Sequence, residues 1–301
     1  MSFKKIVIIL IVIPACLFIV SRIFPKEANK VFVSPLATSV SSVHQVIQSI
    51  TKDRLAKVVD LSLAGTQGTY GIVIKNLKTG ESYTRNENMK FDSASIYKLW
   101  VLGAVYEKIH NGELSGGEVL SRDATELNKM FDIASEAAEL TDGTITMKVD
   151  DAIERMITVS DNYSALLLAS KIRNSKISSF IEKQGFTDSS LGEPPETSPE
   201  DIALFYEKLY KGEIIDEQTS AEMLEILKRQ QLNDVIPKYL PENIDVAHKT
   251  GEFDGYKHDA GIIYGKDPIL IVVLSESNSP QGAADRIADL SRNIFNYFEG
   301  K

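Results

Sequence analysis

Phe91-Asp92-Ser93-Ala94-Ser95-Ile96-Tyr97-Lys98-Leu99-Trp100 is the stretch on which the reading of this chain turns. It follows a strand-like segment and opens an apolar, helix-periodic run that ends near His110, where Asn111 and Gly112 stop it. Ser95 and Lys98 lie three residues apart, and on a helix residues at that spacing share a face. A serine hydroxyl is a weak nucleophile at its own pKa, and a neighbouring amine of depressed pKa can take its proton. Backbone N–H groups of a first helical turn are free to meet a developing oxyanion. Alone, the pair is unspecific: Ser2 with Lys5 and Ser49 with Lys52 share the spacing. Its ordinary reading is a helix start with an N-cap serine and a surface lysine.

Composition narrows the field. The 301 residues are 43% apolar, with 33 Lys+Arg against 42 Asp+Glu and a net charge of −9. An acidic chain without a basic run argues against nucleic acid as a partner. One cysteine, Cys16, rules out an internal disulfide, and His44, His110, His248 and His258 show no metal-ligand spacing, so neither metal nor cofactor is expected. Lys4 and Lys5 precede an apolar run, 6–20, which Ile23 and Phe24 extend. With no Ala-x-Ala-like site after it, the run reads as an uncleaved signal anchor that leaves the rest of the chain outside the cytoplasm on a cell membrane. Ile13-Pro14-Ala15 before Cys16 is a poor lipoprotein signal, because proline precedes the small residue and apolar sequence follows. The expected organisation is a stub and anchor at 1–26, a linker at 27–42 and a catalytic domain at 43–301, the last with a helical subdomain near 111–240.

Outward from Ser95 the pattern is consistent. A helix is expected over 44–64, then a hairpin of 68–75 and 81–85 turned by Asn76-Leu77-Lys78-Thr79-Gly80. Residues 123–172 read as helical, with 147–158 and 163–172 as separate helices around Ser160-Asp161-Asn162. Residues 178–183 continue helical, 186–198 form a loop, and 199–210 and 221–230 are helices, the first capped by Ser198. The period then changes. Residues 244–250, 259–264 and 270–276 are strand-like, and 283–298 is a closing amphipathic helix. The fold class is therefore α+β: a five-stranded antiparallel sheet built from both ends of the chain, flanked by helices, with an all-α subdomain inserted.

Three short motifs stand in order: Ser95-x-x-Lys98, Ser160-Asp161-Asn162 and Lys249-Thr250-Gly251. A second Lys-Thr-Gly, at Lys78 to Gly80, falls in the hairpin turn and reads as a turn. The ordered set is the signature of class A β-lactamases and penicillin-binding proteins. Over about 44–298 the chain resembles the class A β-lactamase family of penicillin-recognising serine hydrolases. The resemblance implies that Ser95 attacks a carbonyl to form an acyl-enzyme, and that Lys98 accepts or relays its proton. It implies that Ser160 passes a proton to the leaving nitrogen while Lys249 tunes it. It further implies that Asn162 holds the substrate amide, that Thr250 binds a carboxylate with Lys249 beside Gly251, and that the N–H groups of Ser95 and Glu252 form the oxyanion hole. Asp161 is expected to brace the loop. The implied substrate is a β-lactam or a D-Ala-D-Ala peptide, and a monomer is expected.

The chain departs from that family in two places. The family carries a Glu-x-x-Leu-Asn loop whose glutamate activates the deacylating water; the corresponding interval, 185–198, is short and lacks it. Its acids, Asp188, Glu193 and Glu196, read as surface turn residues. The second departure is the missing arginine for the substrate carboxylate: Val235 and Ala260 occupy its neighbourhoods, with Lys238 and Lys257 as substitutes. Alternatives to a β-lactamase are therefore a peptidase or esterase that turns β-lactams over slowly, and a sensing ectodomain that acylates once.

Overall fold

The computed structural model describes residues 54–301. The expected anchor, the linker and the first part of the 44–64 helix lie outside the described residues. From the N-terminal side the elements are α1 (54–62), β1 (Thr69–Asn76), β2 (Ser82–Arg85), β3 (Phe91–Asp92), a 3-10 turn (Ala94–Tyr97) and α2 (Lys98–His110). Then come β4 (Val119–Asp123), α3 (Ala124–Met130), β5 (Thr144–Lys148), α4 (Val149–Thr158), α5 (Asn162–Ile172) and α6 (Asn174–Gln184). The chain continues through β6 (Glu196–Thr197), α7 (Pro199–Lys211), α8 (Glu217–Leu227) and a second 3-10 turn (Ile236–Tyr239). It closes with β7 (Val246–Phe253), β8 (Tyr256–Tyr264), β9 (Pro268–Glu276) and α9 (Pro280–Glu299).

The sheet is five-stranded, antiparallel, in the order β2-β1-β9-β8-β7, so both ends of the described chain build it as expected. In β9, Ile269, Ile271 and Val273 join the core under α1 and α9, while Leu270, Val272 and Leu274 join the core under the middle helices. Alternating side chains point to opposite faces of a strand, and here both faces are covered. Each such side chain contributes roughly 1.5–3 kcal/mol by leaving water. The result is three layers, with the motif-bearing turns along the β7 edge.

The structure corrects several sequence expectations. Residues 123–148 are not continuously helical: α3 is short, and β4 and β5 form a two-stranded ladder around a long loop. The helix expected over 163–172 is α5, and the helical stretch expected over 178–183 belongs to α6, which starts earlier, at Asn174, after Arg173 at φ 72. Lys249-Thr250-Gly251 does not end its strand. It lies inside β7, which continues to Phe253 and turns at Asp254-Gly255.

Candidate active site

Ser95 lies not in the α-helix but in the 3-10 turn just before it. Its neighbour Ala94 has φ 42, a conformation held by the Asp92 carboxylate, which accepts from the Ala94 N–H at 2.8 Å. Behind the turn, the buried His258 donates through Nε2 to the Asp92 carbonyl at 2.8 Å and accepts through Nδ1 from the Ser275 N–H at 3.1 Å. Both nitrogens of a neutral ring are thus used. Burial pushes the His258 pKa down to about 4, against the pull of its Asp92 and Lys257 backbone partners. β7 lies directly on the same turn. A Cβ at Gly251 would stand 3.0 Å from Ile96 Cγ1 and 3.2 Å from the Ser93 carbonyl, so glycine permits the approach. Gly251 therefore sits against the turn.

Lys98, at the first position of α2, is fully buried. Its Nζ lies 3.1 Å from Ser95 Oγ, 3.1 Å from Ser160 Oγ, 2.7 Å from Asn162 Oδ1 and 2.5 Å from the Ser160 carbonyl. Once neutral, the amine has a lone pair with two hydroxyls in reach. Burial lowers its pKa to about 8, while the charges of Asp161 and Glu139 pull the other way. Lys249, also buried, donates to Ser160 Oγ at 2.9 Å and to the Thr250 carbonyl at 2.8 Å. Its pKa is well below the ordinary lysine value, first through burial and then through Lys98. Desolvation thus outweighs the mutual repulsion of the two amines. Ser95, Lys98, Ser160 and Lys249 form one continuous hydrogen-bonded chain.

Ser160 has φ 57, left-handed for a non-glycine residue. Asp161 holds that loop by capping α5 at the Ser164 N–H, 2.7 Å, and by pairing with Arg155 at 2.9 Å. Those two partners outweigh its partial burial and keep its carboxyl below the usual range.

Two adjoining cavities open on Ser95. One, of about 490 Å³, is lined by Ser95, Ser160, Asn162, Thr250, Glu252 and Lys257 together with residues 231–234. The other, of about 570 Å³, takes in Ser95, Asn162, Phe131, Glu139 and Glu193. The sequence-selected residues thus converge, with Gly251 behind the turn. Three further charged residues line the site, and one of them, Lys257, is the expected substitute for the missing arginine. Glu193 is exposed in a bend, as a surface turn acid is expected to be, and also lines the cavity, whereas Glu196 pairs with Asp92 across β3 and β6. Lys257 lines the first cavity and contacts Glu252 at 2.6 Å and Asp234 at 3.3 Å. Burial opposes its charge, but these two acids hold its pKa above the ordinary value. Lys238 instead pairs with Asp285, and Val235 and Ala260 are buried. The third, Glu139, lies in the long loop 131–143 and bonds Asn162. No periodicity or motif marked it. Among the described residues no cluster of His, Cys, Asp and Glu fit for a metal is present, and no helix is long and apolar enough to cross a membrane.

Fold and site together define a protein of the β-lactamase/transpeptidase-like class. A family model described as the beta-lactamase enzyme family matches residues 51–298, and the chain belongs to that family. Among solved structures it is similar to a β-lactamase from Sphaerobacter thermophilus DSM 20745, with 24% identity and TM-score 0.72 over 82% of this chain and 97% of that one. It is likewise similar to PBP-A, with 23% identity and TM-score 0.73 over 82% and 97% of the two chains. A PBP-A mutant solved as an acyl-enzyme complex with penicillin G has 23% identity and TM-score 0.72 over 82% and 96%. These likenesses carry the fold. No curated protein matches.

Proposed function

We propose that the chain is a serine acyl-hydrolase that opens β-lactam rings through an acyl-enzyme on Ser95. The observation that carries this reading is the placement of Lys98 Nζ between the Ser95 and Ser160 hydroxyls, with its pKa lowered to about 8. About a tenth of Lys98 is then neutral at pH 7, enough for a general base. Ser95 Oγ attacks the lactam carbonyl carbon and its proton passes to Lys98. The carbonyl oxygen takes up negative charge facing the N–H groups of Ser95 and Glu252. As the C–N bond breaks, Ser160 Oγ gives its proton to the nitrogen, and Lys98 restores it. Lys249 stabilises the Ser160 oxygen during this exchange. Thr250, Lys249 and Lys257 offer the substrate carboxylate its partners, and Asn162 offers an amide to the acyl side chain. Glu193 is the acid of the short loop that reaches the cavity, and it activates the water that releases the acyl group. The solved relatives described as β-lactamases, and the penicillin G acyl-enzyme of a PBP-A mutant, support this substrate class. The apolar run at 6–20 fits a membrane anchor that holds the domain outside the cytoplasm.

A second reading, acylation by cell-wall D-Ala-D-Ala peptides with slow β-lactam release, is favoured by the shortness of the 185–198 loop. Stopped-flow mixing with a chromogenic cephalosporin separates the two. The first reading predicts sustained turnover that Glu193→Gln reduces by roughly 10²-fold or more, exposing a stoichiometric burst. A burst without turnover in the wild-type protein supports the second, and absence of any reaction contradicts both.

A further inference from the structure

The Asn162 side chain presents opposite polarity at the two ends of its amide. Its Oδ1 accepts from Lys98 Nζ at 2.7 Å, and its Nδ2 donates to Glu139 Oε1 at 2.5 Å. Rotating the amide by half a turn would set its oxygen against the Glu139 carboxylate and its NH₂ against the Lys98 amine. Only one rotamer satisfies both neighbours. Glu139 is itself exposed, but the next residue is bolted down. The Leu140 N–H donates to the Tyr163 hydroxyl at 3.0 Å, and the Leu140 carbonyl accepts from Asn128 Nδ2 at 2.7 Å. The Tyr163 hydroxyl lies 2.8 Å from Asn128 Oδ1, and Tyr163 and Asn128 are both buried. Tyr163 directly follows Asn162 on α5. The loop 131–143 is thereby fastened one residue away on each side of the Glu139–Asn162 contact.

We propose that Glu139 is a positioning residue for acylation: it fixes the Asn162 amide in the orientation that serves Lys98 and places a negative charge beside the Ser95–Lys98–Ser160 chain. This rests on the reading of Ser95 as the nucleophile. The charged groups that act on Lys98 are Asp161 at the N-cap of α5, Lys249 from β7 and Glu139 from the loop. Asp161 is committed to its cap and to Arg155, so Glu139 is the carboxylate free to vary without disturbing the Ser160 loop. Its charge favours the ammonium form of Lys98. Glu139 therefore holds the base in place while reducing the fraction of it that is neutral near pH 7.

The test combines two variants with two readouts. Glu139→Gln keeps an acceptor for Asn162 Nδ2 and removes the charge; Glu139→Ala removes both. The first readout is the rate of covalent labelling by a fluorescent penicillin as a function of pH. Glu139→Gln is expected to move the acid limb down by roughly half a pH unit, making labelling near pH 6 about threefold faster. Glu139→Ala is expected to lower the high-pH plateau about tenfold as the amide turns freely. It has no further effect in an Asn162→Ala background, because it acts through that side chain. The second readout is the titration of ¹³C-labelled Lys98 by NMR, which needs no turnover; its midpoint falls in Glu139→Gln. An unmoved midpoint and limb in Glu139→Gln, or an intact plateau in Glu139→Ala, overturns the inference. A wild-type protein that is not labelled at Ser95 overturns the parent reading instead.

Discussion

His258 shows how one residue ties site geometry to stability. It holds the strand before Ser95 to β8 and β9 only as a neutral ring, and burial keeps its pKa near about 4 instead of 6.5. A folded-state pKa below the unfolded one means that the unfolded chain takes up the proton first. The stabilisation is whole above pH 6.5 and is lost progressively as pH falls to about 4, by roughly 3 kcal/mol in all. Denaturant midpoints measured from pH 7 to 4 in the wild type and in His258→Asn check this. The wild type is expected to lose more stability across that window, and equal slopes would contradict the assignment. Single residues also mark where the sequence was mute. Ser95, Lys98, Ser160, Asn162 and Lys249 were legible because each sits in a short motif at fixed spacing. Glu139 was not, since its place depends on a loop anchored through Tyr163 and Asn128, contacts with no local pattern. Glu193 is the exposed turn acid that its sequence suggests, and only the tertiary fold shows that it also borders the cavity. A loop acid reads as solvated until the tertiary fold shows which cavity it lines.

At the scale of elements, the β7–β8 pairing sets the position of Lys249. Gly261 on β8 faces His248 on β7, and a Cβ there would stand 2.3 Å from the Ala247 carbonyl and 2.5 Å from His248 Cβ. Gly261→Ala must push the edge strand away, which costs about 1–3 kcal/mol and shifts Lys249 from Ser160. The expected outcome is a lower melting temperature together with about tenfold slower penicillin labelling; normal labelling in a destabilised protein would show that the register does not govern the amine. The central strands of the sheet were readable as short apolar runs between turns, and the long helices from their apolar stripes. The β4–β5 ladder was not. Val119-Leu120-Ser121-Arg122-Asp123 and Thr144-Ile145-Thr146-Met147-Lys148 are short and largely solvated, so each resembles polar helix or loop until the two pair.

On the scale of the whole molecule, the site is a seam. The Ser95 turn and Lys98 lead into the central helix α2, Ser160 and Asn162 come from the α4–α5 junction, and Lys249 and Thr250 come from the edge of the sheet. The core beneath joins β8 and β9 residues such as Ile262 and Val272 to helical residues such as Met156, Leu168 and Phe180, so the three contributions share one hydrophobic support. A Cβ at Gly103 on α2 would meet the Phe180 ring at 2.2 Å, which shows how closely α2 is pressed onto α6. Such packing holds the polar side chains of the site in register. The account stands on Ser95 being the atom that is acylated. The most direct measurement is intact-protein and peptide mass spectrometry after brief exposure to penicillin, on the wild type and on Ser95→Ala. The account predicts one adduct per chain, of the mass of the intact penicillin, on the peptide holding Ser95, and none in Ser95→Ala; an adduct that survives the substitution, or no adduct on wild-type protein quenched during the reaction, would contradict it.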